Sequence, residues 1–312
     1  MARMTADPSA SPRRRPSAPA RERATALPLA FAGPRHPILV SGAEALLPHM
    51  PRYLPDWPRA DAAKCKGRPS DIRVSRNAAG LRIEEGNPLR ATSDYASALE
   101  AANGLTGALI AAYVEQDAAL VCIHAAAAEI GGGLVALIGD TEAGKSSLAV
   151  QLVRLGFRSF GDDRLILRLV TGGGAADLGM ALGMPLKLRL PLPPESAAEL
   201  APWVEERIAA EAPALVQLRL SPAEAAGFGA EAPLRAVVLL ERGAGLPERL
   251  EPASSAAALQ VLLAQAYAPR LATGERVAAL GALAQRLPAY RLSFARSDRA
   301  AALLARRLGG AP

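Results

Sequence analysis

The spacing of apolar positions changes several times along this chain, and each change marks an element. Alternation over Asp71 to Val74, a turn at Asn77 to Gly80 and renewed alternation over Leu81 to Glu85 predict a hairpin. From Ser97 to Val114 the residues Leu99, Ala102, Leu105, Ile110 and Val114 fall near helical spacing, with Gly104 and Gly107 interrupting it. Leu120 to Ile130 is apolar almost throughout and predicts one strand, Gly131 to Gly133 turn the chain, and Leu134 to Ile138 returns as a second. Leu148, Leu152 and Leu155 then make a helical stripe that Gly156 stops, and Phe157 to Phe160 leads as a strand to Asp162 and Asp163. Further on come a strand at Leu234 to Leu240, helices at Ala253 to Tyr267 and Thr273 to Arg286, a strand at Tyr290 to Phe294, and a helix at Asp298 to Leu308 that Asp298 is suited to cap. Such alternation predicts an α/β protein with a mixed sheet and helices packed around it.

Composition narrows the class. The chain has 312 residues, half of them hydrophobic, enough for one large domain or a small one beside a medium one. Its apolar runs are short, so no membrane span is expected. Cys65 and Cys122 stand far apart without a CxxC pair, which indicates neither a disulfide framework nor a zinc site and fits a reducing cytoplasm.

Charge is concentrated at one end. Residues 1–35 carry seven Arg and two acidic residues, leaving 29 basic against 28 acidic for the remainder. The run Arg13, Arg14, Arg15 lies in a Pro/Ala/Ser-rich stretch too poor in apolar residues to fold, so residues 1–35 read as a disordered basic tail. With the remainder nearly neutral, nucleic acid is not the expected partner. The expected organisation is this tail, a small α/β unit over 36–117 in which no motif is assigned, and a larger unit over 118–312.

The second strand of the larger unit runs into Gly139, Asp140, Thr141, Glu142, Ala143, Gly144, Lys145 and Ser146, which spell GxxxxGK[ST], followed by Ser147. Each position has a task in holding a nucleotide. Glycines let backbone N–H groups turn toward phosphate, Lys145 neutralises β/γ charge, and Ser146 offers a hydroxyl to magnesium. The following helix points the positive end of its dipole at the anion. Lysine usage adds weight: Lys64, Lys66, Lys145 and Lys187 are the only lysines among 36 basic residues, and one of them stands where phosphate chemistry needs a compact ammonium. ATP and Mg2+ are therefore the expected cofactors.

Asp162 and Asp163 follow this lysine closely. Adjacent carboxylates near a triphosphate can divide two tasks, one holding magnesium directly or through water and the other accepting a proton from an attacking hydroxyl. The plainer alternative is a turn with Asp163 paired to Arg164. Upstream, His124 sits in the apolar run LVCIHAAAA, where a hydrogen-bonded core histidine is the plainer reading.

Together these parts resemble the catalytic domain of the HPr kinase/phosphorylase superfamily, bacterial serine kinases that carry a His-small-residue strand, a glycine hairpin, a P-loop, one helix and a strand ending in Asp-Asp. Here the parts are Ile123-His124-Ala125, Gly131 to Gly133, GDTEAGKSS at 139–147 and GDD at 161–163. The resemblance spans roughly 118–310, with its specific motifs confined to 123–163. It implies a P-loop kinase fold in which residues 139–147 hold the nucleotide and Lys145 grips phosphate. Ser146 and Asp162 would serve the metal, Asp163 would accept the proton, and His124 would lie beside it. It implies γ-phosphoryl transfer to a hydroxyl, with a serine of a peptide or protein first among acceptors. Members can form rings, so a homo-oligomer is compatible, although no segment here marks an interface.

The chain also departs from that family. No counterpart of the long glycine-rich signature that serves phosphorolysis follows the Asp-Asp strand, and GMPLKLR stands in its place. Lys187 and Arg189 alternate onto one face of that segment, where they can meet a phosphate or an acidic peptide or simply be solvated. The best distant Walker B carboxylate is Glu241, after Val237 to Leu240. No GTPase base-reading motif and no ABC signature is present. A non-catalytic ATP-binding module and a kinase for a small hydroxyl metabolite remain the rival readings.

Overall fold

The computed structural model describes residues 28–86, 91–170, 176–212 and 214–309. Its first sheet is assembled from β1 (Leu29–Phe31), β2 (Ile38–Ser41), β3 (Ile72–Asn77), β4 (Gly80–Glu85) and β5 (Ala91–Tyr95), paired in that order. The β3–β4 hairpin expected from alternation is present: Ile72, Val74, Leu81 and Ile83 point inward, and Asn77 Oδ1 accepts from Ala79 N at 2.9 Å in the turn. Helix α1 (Ala98–Val114) packs on this sheet and begins with a capping box between Ser97 and Glu100. Gly104, which weakens the helix in isolation, earns its place by packing: a Cβ there would lie 2.2 Å from the Tyr95 ring.

β1 lies within the stretch read from sequence as tail. The short run Leu29, Ala30, Phe31 is enough to pair antiparallel with β2, because Ala30 and Phe31 become buried in doing so. Residues 1–27, which hold the arginine run, fall outside the described residues.

The larger sheet follows: β6 (Leu120–Ile123), β7 (Ala125–Ile130), β8 (Gly133–Ile138), α2 (Lys145–Arg154), β9 (Arg158–Gly161), β10 (Leu165–Arg168), β11 (Leu178–Met180), β12 (Leu186–Arg189), α3 (Pro194–Glu205), β13 (Ile208–Ala212), β14 (Leu215–Leu218), β15 (Glu231–Arg242), β16 (Arg249–Pro252), α4 (Ser255–Gln265), β17 (Ala266–Tyr267), α5 (Thr273–Arg286), β18 (Ala289–Phe294) and α6 (Ser297–Leu308). The main path runs β17-β6-β10-β11-β15-β8-β7-β9, β18 lies against β15, and β12-β14-β13 form a separate three-stranded sheet. β8, β15 and β18 are parallel, whereas β7 runs antiparallel to β8. The fold is thus mixed α/β. No described helix is long and apolar enough to cross a membrane.

Strand periodicity divides the core in two. Val135 and Leu137 of β8 face a core with α2, α6 and β12, while Leu134, Ala136 and Ile138 face a core with α4 and α5. A third core joins the first sheet and α1 to Leu120, Cys122, Ile166, Met180, Leu182 and Met184.

Three expectations are corrected. The stretch Leu120 to Ile130 forms two strands rather than one, because the N–H of His124 leaves the ladder and donates to Gln265 O at 3.0 Å, so β6 pairs with β10 and β17 while β7 pairs with β8 and β9. Leu155 follows the end of α2 and is half exposed, so the buried stripe consists of Leu148 and Leu152. Asp298 lies one residue inside α6, whose N-cap is Arg296, and the Asp298 carboxylate pairs with that arginine at 2.7 Å.

Candidate active site

The parallel strands β8 and β15 end at one edge of the sheet, and the loop from β8 into α2 forms there. Glu142 (φ 70°) and Gly144 (φ 88°) take left-handed backbone conformations in this loop. At Gly144, the N-cap of α2, a Cβ would meet Arg242 Cδ and the Phe294 ring at 3.2 Å, and at Gly139 it would meet Ala143 Cβ at 2.9 Å. Glycine at both positions lets the loop close tightly over the first turn of α2, where backbone N–H groups without helical partners favour an anion.

Lys145 begins α2 and is buried. Its Nζ donates to Gly139 O at 2.8 Å and Asp140 O at 2.9 Å, holding the loop against itself. Burial pushes its pKa down, and the charges of Asp163, Asp162 and Asp140 oppose that shift.

β9 delivers the two aspartates to the same edge. Asp162 is 1% exposed, and its carboxylate accepts from Ser146 Oγ at 2.8 Å and from the Lys187 backbone N–H at 2.9 Å. Burial pushes its pKa up, and these two hydrogen bonds work against the rise. Asp163 adopts φ 75°, a left-handed conformation that aspartate tolerates better than most residues. Its Oδ1 lies 2.8 Å from His124 Nε2 and its Oδ2 lies 3.8 Å from Lys187 Nζ. The hydrogen bond from His124 outweighs burial and, with the charges of Lys187 and Arg164, holds the Asp163 carboxyl well below the usual range. Arg164 thus acts on Asp163 through its charge, and the close partners are His124 and Lys187.

A cleft of about 970 Å³ joins these groups. His124, Thr141, Glu142, Gly144, Lys145, Ser146, Ser147, Asp162, Asp163, Lys187 and Arg189 all line it. Of the other loop residues, Gly139 meets Lys145 through its carbonyl, Ala143 packs against the core, and Asp140 lines a separate cavity of about 360 Å³ beside α4. Glu241 lines that cavity too and pairs with Arg291 at 3.5 Å, while Arg242, the next residue of β15, lines the main cleft. Strand alternation separates the two, and it was the signal by which Arg242 could have been found beside Glu241. Lys187 and Arg189 do share a face, but Lys187 turns onto the aspartates and Arg189 forms an ion pair with Glu142 across the cleft.

Among the described residues no group of three or more His, Cys, Asp or Glu could hold a metal ion. Ser146 Oγ and the Asp162 carboxylate supply hard oxygens, a donor set that suits magnesium keeping several waters and sharing phosphate oxygens, and that does not suit zinc. Because both Asp162 oxygens already accept hydrogen bonds, this carboxylate is placed to orient Ser146.

No family model matches the chain, and no curated protein does. Among solved structures, the Hpr(Ser) kinase/phosphatase from Coxiella burnetii aligns with 60% of this chain and 93% of its own length, at 12% identity and a TM-score of 0.31, a distant resemblance.

Proposed function

We propose that this chain is an ATP- and magnesium-dependent kinase of the HPr-kinase-like type, which transfers the γ-phosphoryl group to a hydroxyl, a peptide or protein serine being the preferred acceptor. One observation carries the reading: Lys145, the Ser146–Asp162 pair and the His124–Asp163 pair face a single cleft. A non-catalytic nucleotide-binding module needs no carboxylate with a histidine partner beside the lysine. The peptide acceptor rests on the sequence resemblance, and reversal by phosphorolysis is left out of the proposal because the signature for it is missing.

In this mechanism Lys145 exchanges the carbonyls of Gly139 and Asp140 for β/γ-phosphate oxygens, and the first amides of α2 take up further charge. Ser146, oriented by Asp162, would hold magnesium, which would supply charge neutralisation on the phosphates. The acceptor oxygen approaches the γ-phosphorus in line with the departing ADP oxygen, the bond to ADP breaks, and the acceptor proton passes to Asp163. A carboxylate held so firmly ionised is a weak base. It suits a loose transition state in which the proton leaves late, and His124 keeps its orientation fixed.

The test is incubation of the full chain with γ-labelled ATP, magnesium and a panel of serine-containing peptides and lysate proteins, with mass spectrometry locating the phosphate. Lys145→Ala is the control, expected to weaken nucleotide binding by about 10- to 100-fold, because a buried charged hydrogen-bond donor is removed. Equal ATP affinity in Lys145→Ala and wild type would remove the loop from nucleotide binding. Binding without any transfer would favour the regulatory module.

A further inference from the structure

Residues 36–117 contain no motif with a chemical assignment, yet one of their side chains lies beside a residue that lines the cleft. Lys187 touches both aspartates, through its backbone N–H on Asp162 at 2.9 Å and its Nζ at 3.8 Å from Asp163. On its other side, Nζ lies 6.0 Å from the centroid of the Tyr53 ring. The Lys187 side chain is 17% exposed, and its ammonium has both an aromatic ring and a carboxylate nearby. An aromatic face within about 6 Å adds a favourable interaction with an ammonium beyond its pairing with the carboxylate.

Tyr53 is itself fixed. It is 9% exposed, and its hydroxyl donates to Leu99 O at 3.3 Å in α1. It belongs to the same core as Leu182 and Met184, which lie just before β12 and so set the path of the strand carrying Lys187. Besides its bonds to the two aspartates, Lys187 thus meets, through Tyr53 and the core before β12, the part of the molecule that precedes the nucleotide-binding motif.

We infer that Tyr53 is a positioning residue for the proposed phosphotransfer, its ring holding the Lys187 ammonium against Asp163, so that residues 36–117 support the reacting end of the cleft through Lys187. The inference rests on the phosphotransfer reading above. Tyr53 touches neither reactant in this arrangement and acts only through Lys187, which gives a specific expectation for the pair.

The experiment is a double-mutant cycle in the full chain, read as turnover of γ-labelled magnesium-ATP. Tyr53→Leu removes the aromatic face and is expected to lower kcat by about five- to tenfold, with KM for ATP changed by less than about twofold. Tyr53→Phe keeps the face and is expected to stay within about twofold of wild type. Lys187→Met is expected to lose at least as much as Tyr53→Leu, and the double variant no more than Lys187→Met alone. A structural role for Tyr53 would instead lower the active fraction equally in both backgrounds. Multiplied losses in the double variant, wild-type turnover in Tyr53→Leu, or equal losses in Tyr53→Phe and Tyr53→Leu would each overturn the inference. Should Tyr53→Leu fail to fold, Tyr53→Met takes its place in the cycle. If wild type turns over no ATP and Lys145→Ala changes nothing, the phosphotransfer reading itself has failed. The Tyr53–Lys187 contact is then judged by urea unfolding of the same four proteins, where additive destabilisation rejects it and a smaller combined loss supports it.

Discussion

Asp162 and Asp163 are adjacent in sequence, yet their carboxyl pKa values are driven in opposite directions, Asp162 upward by burial and Asp163 downward by the hydrogen bond from His124. The left-handed turn at Asp163 is what separates them, sending one side chain under the Ser146 hydroxyl and the other toward His124. Neighbouring carboxylates in such unlike surroundings can hold unlike roles.

Asp163→Asn is therefore expected to bind ATP with wild-type affinity and to transfer phosphate slower by a factor on the order of 100, as for loss of a general base. Asparagine also tolerates the left-handed backbone, so the fold should survive. Binding by calorimetry and single-turnover transfer together check this; full transfer activity would take Asp163 out of the mechanism.

In the proposed reaction His124 acts through Asp163. His124→Ala is expected to cost about tenfold in transfer rate, less than removal of the general base itself, and His124→Gln to restore part of it by offering an amide donor. An unchanged rate in His124→Ala would return this histidine to the role of a strand-break residue.

The Glu142–Arg189 pair spans the cleft between the loop and β12, with both side chains well exposed. Glu142→Gln releases Arg189 and removes a negative charge from the cleft. Nucleotide affinity is expected to rise by about two- to fivefold at low salt, and the gain to shrink as salt screens exposed charges. Titration of a fluorescent ATP analogue at two ionic strengths measures it, and a salt-independent change would assign the effect to loop shape.

Acid stability gives an independent check on Asp163. Its folded pKa lies below the ordinary aspartate value of 3.8, so its ionised form stabilises the fold above that value. This contribution is lost as pH falls below about 3.8 toward the depressed folded pKa. The urea midpoint difference between wild type and Asp163→Asn should accordingly narrow as pH falls below about 3.8. A difference that failed to narrow in that acid range would contradict the depressed Asp163 pKa.

Much of this site was legible because its chemistry is local in sequence. The loop 139–146 needs glycine, lysine and serine at fixed spacing, and one helix plus one strand separate it from Asp162 and Asp163. The α5 boundaries, Thr273 to Arg286, follow from periodicity alone. The division of Leu120–Ile130 was not legible, since residues buried on both faces carry no alternation to mark a break, and the acceptor of the His124 N–H lies far away at Gln265. Lys187 was legible as a charged residue on a strand face. Its contacts with Asp162, Asp163 and Tyr53 are tertiary, and no spacing rule encodes them. Asp298 had the right chemistry for a cap, but its neighbour Arg296 claims the carboxylate.

The two carbonyls that hold the Lys145 ammonium set a threshold for whatever enters the loop. An incoming anion must offer this cation more than a pair of peptide dipoles already does, so densely charged oligophosphates have the advantage over weakly charged competitors of similar shape. The attachment lowers the affinity of every anion alike, so that only those binding the ammonium strongly still enter.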